Sequence, residues 1–253
     1  MIDWLATPEV AFLVAAATVA GIVGTAGGMT SLVSFPALLV LGVPPLEANI
    51  ASLMAAVICW PASAAVSQPE LRAVRDQLPR GLLAAAAGAA LGTSLLLVTP
   101  AATFDVVVPF LVAAGSVILL VSPRLTQHSA GGSTARGGAA AVWVALVSIY
   151  GGYFGAGAGV MLLAASLILI TPDMPRANAC KNMFLGAGAL TSALLLAFAA
   201  VVPWALVAVL ASGLLAGSLI GPILARRLPA PAIRWTVAAL GFVLASTLAA
   251  SAF

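Results

Sequence analysis

The chain of 253 residues is 63% hydrophobic and 7% charged, with 10 basic and 7 acidic side chains and a net charge of +3. A soluble domain carries roughly 25% charged residues, so a water-soluble fold is excluded and most of the surface must face lipid. The basic excess does not indicate nucleic acid, which needs Lys and Arg clustered on one exposed face; here they are spread thinly along the edges of apolar runs, where juxtamembrane charges belong.

The N-terminal Met1-Ile-Asp-Trp-Leu5 lacks the basic segment of a signal peptide and carries Asp3 and Glu9 ahead of the first apolar run, so it is expected to be mature sequence. Residues 9–43 follow, an apolar stretch too long for one span and interrupted near its middle by Gly21-Ile-Val-Gly-Thr-Ala-Gly-Gly28. A bilayer-crossing helix needs about 20 apolar residues, and full spans are expected at 47–66, 79–98 and 102–121. A polar linker, 122–137, containing His128 and Ser129-Ala-Gly-Gly-Ser-Thr-Ala-Arg136, has the composition of a flexible connector. A second long apolar stretch, 138–171, is broken by Gly151-Gly-Tyr-Phe-Gly-Ala-Gly-Ala-Gly159. Its flanks at 139–149 and 160–171 would each reach only about 18 Å as helix, short of a hydrocarbon core of roughly 30 Å. Half-helices meeting inside the membrane are therefore expected, followed by full spans at 178–200, 203–224 and 231–252.

The chain repeats itself. A displacement of 131 residues carries Gly21, Gly24, Gly28 and Pro44 onto Gly152, Gly155, Gly159 and Pro175. With a small gap Ala48-Asn49 falls on Ala177-Asn178, and a displacement of 125 carries Gly88 and Gly92 onto Gly213 and Gly217. The expected units are a first transmembrane repeat, 1–121, the linker 122–137, and a second repeat, 138–253.

Basic residues orient these units. Arg72, Arg75 and Arg80, the linker residues Arg124 and Arg136, the turn with Arg176 and Lys181, and Arg226, Arg227 and Arg234 are expected to face the cytoplasm. The loops near 43–47, 98–104 and 200–203, and both termini, lack basic residues and are expected outside. The spans alternate on these terms if 9–43 is a hairpin entered from outside and 138–171 one entered from inside. The two repeats then have opposite orientation about an axis in the membrane plane, the plan of many secondary transporters. The fold class expected is an all-α polytopic membrane protein of two inverted repeats, each a glycine-broken helical hairpin followed by three transmembrane helices. The alternative is eight spans in two parallel repeats, with glycines serving as kinks or close-packing points.

Backbone interrupted at membrane depth leaves polar groups that lipid cannot satisfy, and is tolerated where it lines a cavity or is buried in protein. The clusters Gly24-Thr-Ala-Gly-Gly28 and Gly155-Ala-Gly-Ala-Gly159 each precede an apolar half-helix. Free N–H groups at its positive end would suit an anion; the alternative is close helix packing. Lys181 is the only lysine of the chain. In a helix starting near Pro175, Asn178, Lys181 and Asn182 share a face, presenting an ammonium between two amides to a polar cavity, unless the lysine snorkels to the interface. The equivalent Asn49 and Ser52 offer hydrogen bonds without charge. Trp4, Trp60, Trp143, Trp204 and Trp235 lie near span ends and are expected in the aromatic belts. Tyr150 and Tyr153 flank a break, as substrate donors or as packing. Cys59 and Cys180 lie in apolar segments without a CxxC spacing and are expected to pack, with no disulfide or zinc site. One histidine and acids confined to span ends or loops leave no catalytic set, and neither enzyme, metal nor cofactor is expected.

Together these residues resemble the sulfite exporter TauE/SafE family of membrane permeases. The resemblance runs over essentially the whole chain, through Gly24-Thr-Ala-Gly-Gly28, Pro36, the Gly42-Val-Pro44 turn, Glu47-Ala-Asn49, Tyr150-Gly-Gly-Tyr-Phe-Gly-Ala-Gly-Ala-Gly159 and Ala177-Asn-Ala-Cys-Lys-Asn182. It departs at Asn49-Ile-Ala-Ser52, where the family often has more hydroxyl residues. The resemblance implies a permease of the bacterial inner membrane for a small sulfur-containing anion, such as sulfite or a sulfoacetate-like organosulfonate. The expected substrate-binding residues are Gly24, Thr25, Gly27, Gly28, Asn49, Ser52, Gly155, Gly157, Gly159, Asn178, Lys181 and Asn182. A passive anion channel and a non-transporting membrane scaffold are the alternatives.

Overall fold

The computed structural model describes residues 7–127, 137–224, and 235, 238–239, 241–243, 245–246 and 248. Trp4, His128, Arg136, Arg226, Arg227, Arg234, most of the expected span 231–252 and the second half of the expected linker lie outside them. The described residues form helices and turns without strands.

Helix α1, Thr7–Gly27, ends at a glycine: Gly28 takes φ 83°, and its N–H donates to Gly24 O at 2.6 Å. Only glycine accepts this left-handed backbone without strain. The short α2, Ser31–Val40, closes in a Schellman turn in which Gly42 N–H bonds Leu39 O at 2.9 Å and Val43 N–H bonds Leu38 O at 3.2 Å, with Gly42 again left-handed at φ 77°. Pro44 and Pro45 then open α3, Pro45–Ala55, since proline's missing N–H is harmless in a first helical turn. A 3-10 turn at Ala56–Ile58 carries α3 into α4, Cys59–Val66. The short α5, Gln68–Ala73, leads to α6, Leu78–Val98, and α7, Ala101–Gln127.

In the second half α8, Gly137–Tyr153, stops at a break and α9, Ala158–Leu169, resumes. Then come α10, Met174–Ala199, and α11, Trp204–Leu224. Among the described residues six helical stretches are long and apolar enough to cross a bilayer: Pro8–Gly27, Pro45–Val66, Arg75–Val98, Ala101–Val121, Met174–Ala199 and Trp204–Leu224. The protein is a multi-pass, all-α membrane protein. Along α6 the apolar side chains Leu83, Leu91, Leu95 and Val98 stand exposed while Gly88, Ala89, Gly92 and Thr93 face inward, the division expected of a helix with lipid on one side.

The breaks are shorter and later than the glycine runs suggest. Gly21, Gly24 and Gly27 lie inside α1, and Gly151 and Gly152 inside α8. The arm before each break is therefore long: α1 is 21 residues and α8 is 17, about 32 and 26 Å of helix. A glycine inside a helix costs about 1 kcal/mol, too little to end one that is packed on both sides. The expected linker is shortened likewise, because α7 continues to Gln127.

These helical glycines answer to contacts between the two halves. A Cβ on Gly88 would meet Ala145 O, and one on Gly213 would meet Val14 O; Gly92 is pressed against Ile149 O, and Gly217 against Thr18 O. Gly152 lies against Ala89 O, and Gly21 against Leu214 O. Under the displacements of 131 and 125 residues each contact maps onto the other member of its pair, and the halves exchange contacts as in an isologous pairing. Thus α1 packs along α11, and α8 along α6.

Candidate functional site

The two breaks meet. A Cβ on Gly28 would run into the backbone of Gly159, and one on Gly159 into Gly28, so the repeat-equivalent glycines touch main chain to main chain. Beyond them Gly155 and Gly157 take φ 84° and 81°, and Gly157 is the residue from which α9 starts. Tyr150 holds this second turn, its hydroxyl donating to Ala156 O at 2.6 Å and Leu111 O at 3.3 Å. Tyr153 instead packs its ring against Phe104.

Thr25 and Gly27, with Gly24, belong to the last turn of α1. Their N–H groups are consumed within the helix, and what they present is the negative, carbonyl end of α1. The arrangement differs from the expected row of free N–H groups because the helix runs through Gly24 to Gly27 before it breaks. The N–H-bearing heads are displaced onto Thr30 and Ser31 at the start of α2, and onto Gly159 at the start of α9, where the Ala158 N–H is taken up by Gly155 O at 3.1 Å.

A cation occupies the carbonyl end of α1. Helix α10 begins at Met174, with Asp173 Oδ1 accepting from Arg176 N–H at 3.0 Å and Pro175 in its first turn. That start sets Asn178, Lys181 and Asn182 on one face, as expected, and aims all three at α1. Lys181 Nζ donates to Gly24 O at 3.0 Å and Thr25 O at 3.1 Å. Asn178 Nδ2 and Asn182 Nδ2 donate to the same Thr25 O at 3.1 and 3.2 Å. Thr25 Oγ1 turns back to Gly21 O at 2.6 Å. Lys181 is 0% exposed, which sets the snorkelling alternative aside. Among the described residues no carboxylate pairs with it; Asp173, at the start of the same helix, pairs with Arg176 instead.

Asn49 and Ser52 are not in this group. Asn49 Nδ2 donates to Tyr153 O at 2.9 Å, at the end of α8, and Ser52 Oγ lies 3.3 Å from Ser34 Oγ. The pattern repeats across the halves: the helix after each hairpin sends an asparagine to the C-terminal end of the opposite hairpin's first arm. The half with Lys181 adds a charge.

Between the breaks lies a cavity of about 90 Å³, several times the roughly 10–15 Å³ that one water requires. Of the expected site residues, Gly24, Thr25, Gly28, Gly155, Gly159 and Asn182 line it; Gly27, Asn49, Ser52, Gly157, Asn178 and Lys181 do not. Thr30, Ser31, Ser148 and Ser192 also line it and were missed by the sequence reading. Thr30-Ser31 was open to detection, being the helix-capping residue types directly after a glycine break; Ser148 and Ser192 sit in mid-helix without a local signal. Trp60 is a further correction. It lines the cavity, seated against Gly186, with Nε1 donating to Met183 Sδ at 3.2 Å, whereas Trp143, Trp204 and Trp235 are exposed as belt residues would be.

A curated relative, a probable membrane transporter protein of Sinorhizobium sp, is 28% identical over 167 residues, which is 65% of this chain and 63% of the relative. The match thus spans less than two thirds of that relative. No solved structure matches the chain. The family described as sulfite exporter TauE/SafE matches across residues 11–248, nearly the full length in which the glycine breaks, the cavity and the Lys181 face are found, and the chain belongs to that family.

Proposed function

We propose that the protein is a transporter moving a small sulfur-containing anion, sulfite or a sulfoacetate-like organosulfonate, across the bacterial inner membrane. The observation that carries this reading is the cavity beside the two touching helix breaks, with the heads of α2 and α9 at its wall. Helix N-termini attract anions through unpaired N–H groups and the helix dipole. The hydroxyls of Thr30, Ser31, Ser148 and Ser192 and the amide of Asn182 replace the anion's hydration shell, without which a buried charge is costly. Gly28, Gly155 and Gly159 allow close approach by having no side chain. Lys181 acts from one layer behind: its ammonium is bonded to Gly24 O and Thr25 O, residues that line the cavity, and it offsets the anion's charge from there. Gly27, Gly157, Asn49, Ser52 and Asn178 set the geometry of the two breaks.

The repeats 1–121 and 138–253 rock about this site in alternating access, with the linker cytoplasmic and both termini outside. The exchanged contacts between α1–α11 and α6–α8 support that plan, and so does the segregation of basic loops. The test is uptake of labelled sulfite and sulfoacetate into liposomes holding the purified protein, beside empty liposomes. Saturable uptake with counterflow is expected. Flux that never saturates would make the protein a channel, and no flux above empty liposomes for either anion would remove the reading.

A further inference from the structure

The geometry points to a monovalent-cation site at the C-terminal end of α1 that is filled by the protein's own Lys181 ammonium. Broken membrane helices hold alkali cations or protons at their C-terminal ends, where unpaired carbonyls and the negative end of the dipole converge. Gly24 O and Thr25 O form such an end, and Lys181 Nζ sits 3.0 and 3.1 Å from them with no exposure to solvent. The second observation is an unused oxygen on an amide that already reaches this end of α1: Asn178 bonds Thr25 O through Nδ2, its Oδ1 is buried and has no hydrogen-bond partner, and the residue is 9% exposed.

The same place is oversupplied with donors. Thr25 O has two lone pairs and receives three N–H groups, from Lys181, Asn178 and Asn182. Turning the Asn178 amide relieves this crowding and gives the cage a third oxygen, since amide O and N are interchangeable in shape. Two carbonyls and an amide oxygen are hard ligands, suited to an alkali cation or a primary ammonium and not to an anion. The repeat partner at the end of α8 has Asn49 in place and Ser52 at the lysine's position, so the tethered cation belongs to one half alone. A resident ammonium removes any need for a free coupling cation at this end of α1.

The experiment is thermal unfolding of the purified protein and its variants in detergent, which does not depend on what the cavity transports. The wild-type Tm is expected to be the same in sodium, propylammonium and choline chloride at equal concentration. Lys181→Ala, which empties the cage, is expected to lower Tm by at least about 5 °C. Propylammonium or sodium should restore it saturably by mass action, whereas choline, too large for the cage, should not. A Lys181→Ala protein whose Tm ignores all three salts overturns the proposal. Should that variant be recovered only as aggregate, Lys181→Met decides, because methionine fills the volume without charge. It is expected to unfold well below wild type, and equal stability overturns the proposal.

Discussion

Gly28→Ala tests the meeting of the two breaks, and the structure separates its two costs. The left-handed backbone at φ 83° makes a Cβ unfavourable by roughly 1–2 kcal/mol. The same Cβ would enter the main chain of Gly159, and overpacking a close contact costs about 1–3 kcal/mol. Two other glycines isolate these effects. Gly42 shares the left-handed backbone at φ 77°, but a Cβ there meets nothing within 4 Å, so Gly42→Ala carries the backbone cost alone. Gly159 has no positive φ and meets Gly28, so Gly159→Ala carries the packing cost alone. The sum for Gly28→Ala is about 2–5 kcal/mol. Scanning fluorimetry of the four proteins in one detergent reads the order, with wild type highest, both single-cost variants intermediate and Gly28→Ala lowest. If Gly28→Ala unfolds no earlier than Gly42→Ala, the main-chain contact between the breaks is refuted.

Replacing Gly92 and Gly217 separately by Leu should destabilise the protein to a similar extent, since they press on the equivalent carbonyls Ile149 O and Thr18 O; unfolding midpoints that differ widely would argue against the exchanged contacts. Tyr150→Phe leaves Ala156 O without its 2.6 Å donor and should lower stability by about 1–3 kcal/mol, measured by thermal unfolding; an unchanged midpoint would show that water replaces the hydroxyl. Thr30→Ala combined with Ser31→Ala removes two hydroxyls from the cavity wall and should raise the half-saturating sulfite concentration by about a hundredfold, since each hydrogen bond lost to a charged ligand costs roughly tenfold or more, with little change in Tm. Uptake identical to wild type would take the head of α2 out of the binding site.

Much was legible in the sequence because lipid imposes a one-dimensional constraint. A chain with 7% charged residues has to bury its polar backbone in helices, so most of the spans and the two interrupted stretches could be read directly; that α1 is by itself long enough to cross, and not a half-helix, could not. The shared face of Asn178, Lys181 and Asn182 followed from the start of α10 and the 3.6-residue period. The direction in which that face points did not follow. Helical periodicity fixes which residues lie together on a helix and says nothing about which neighbour receives them. The assignment of Gly24 and Thr25 to the end of α1 failed at sequence level for a related reason. A glycine run marks weak helix or close packing equally well, and the choice between them is made by the opposite half, whose carbonyls approach Gly21, Gly88, Gly92, Gly213 and Gly217. Trp60, Ser148 and Ser192 reached the cavity wall through the packing of helices far apart in sequence. The residues that could hold a solute were therefore named partly by composition and spacing, while the tertiary structure alone decided that Lys181 faces carbonyls and not the cavity, because only the assembled halves bring the end of α1 under α10.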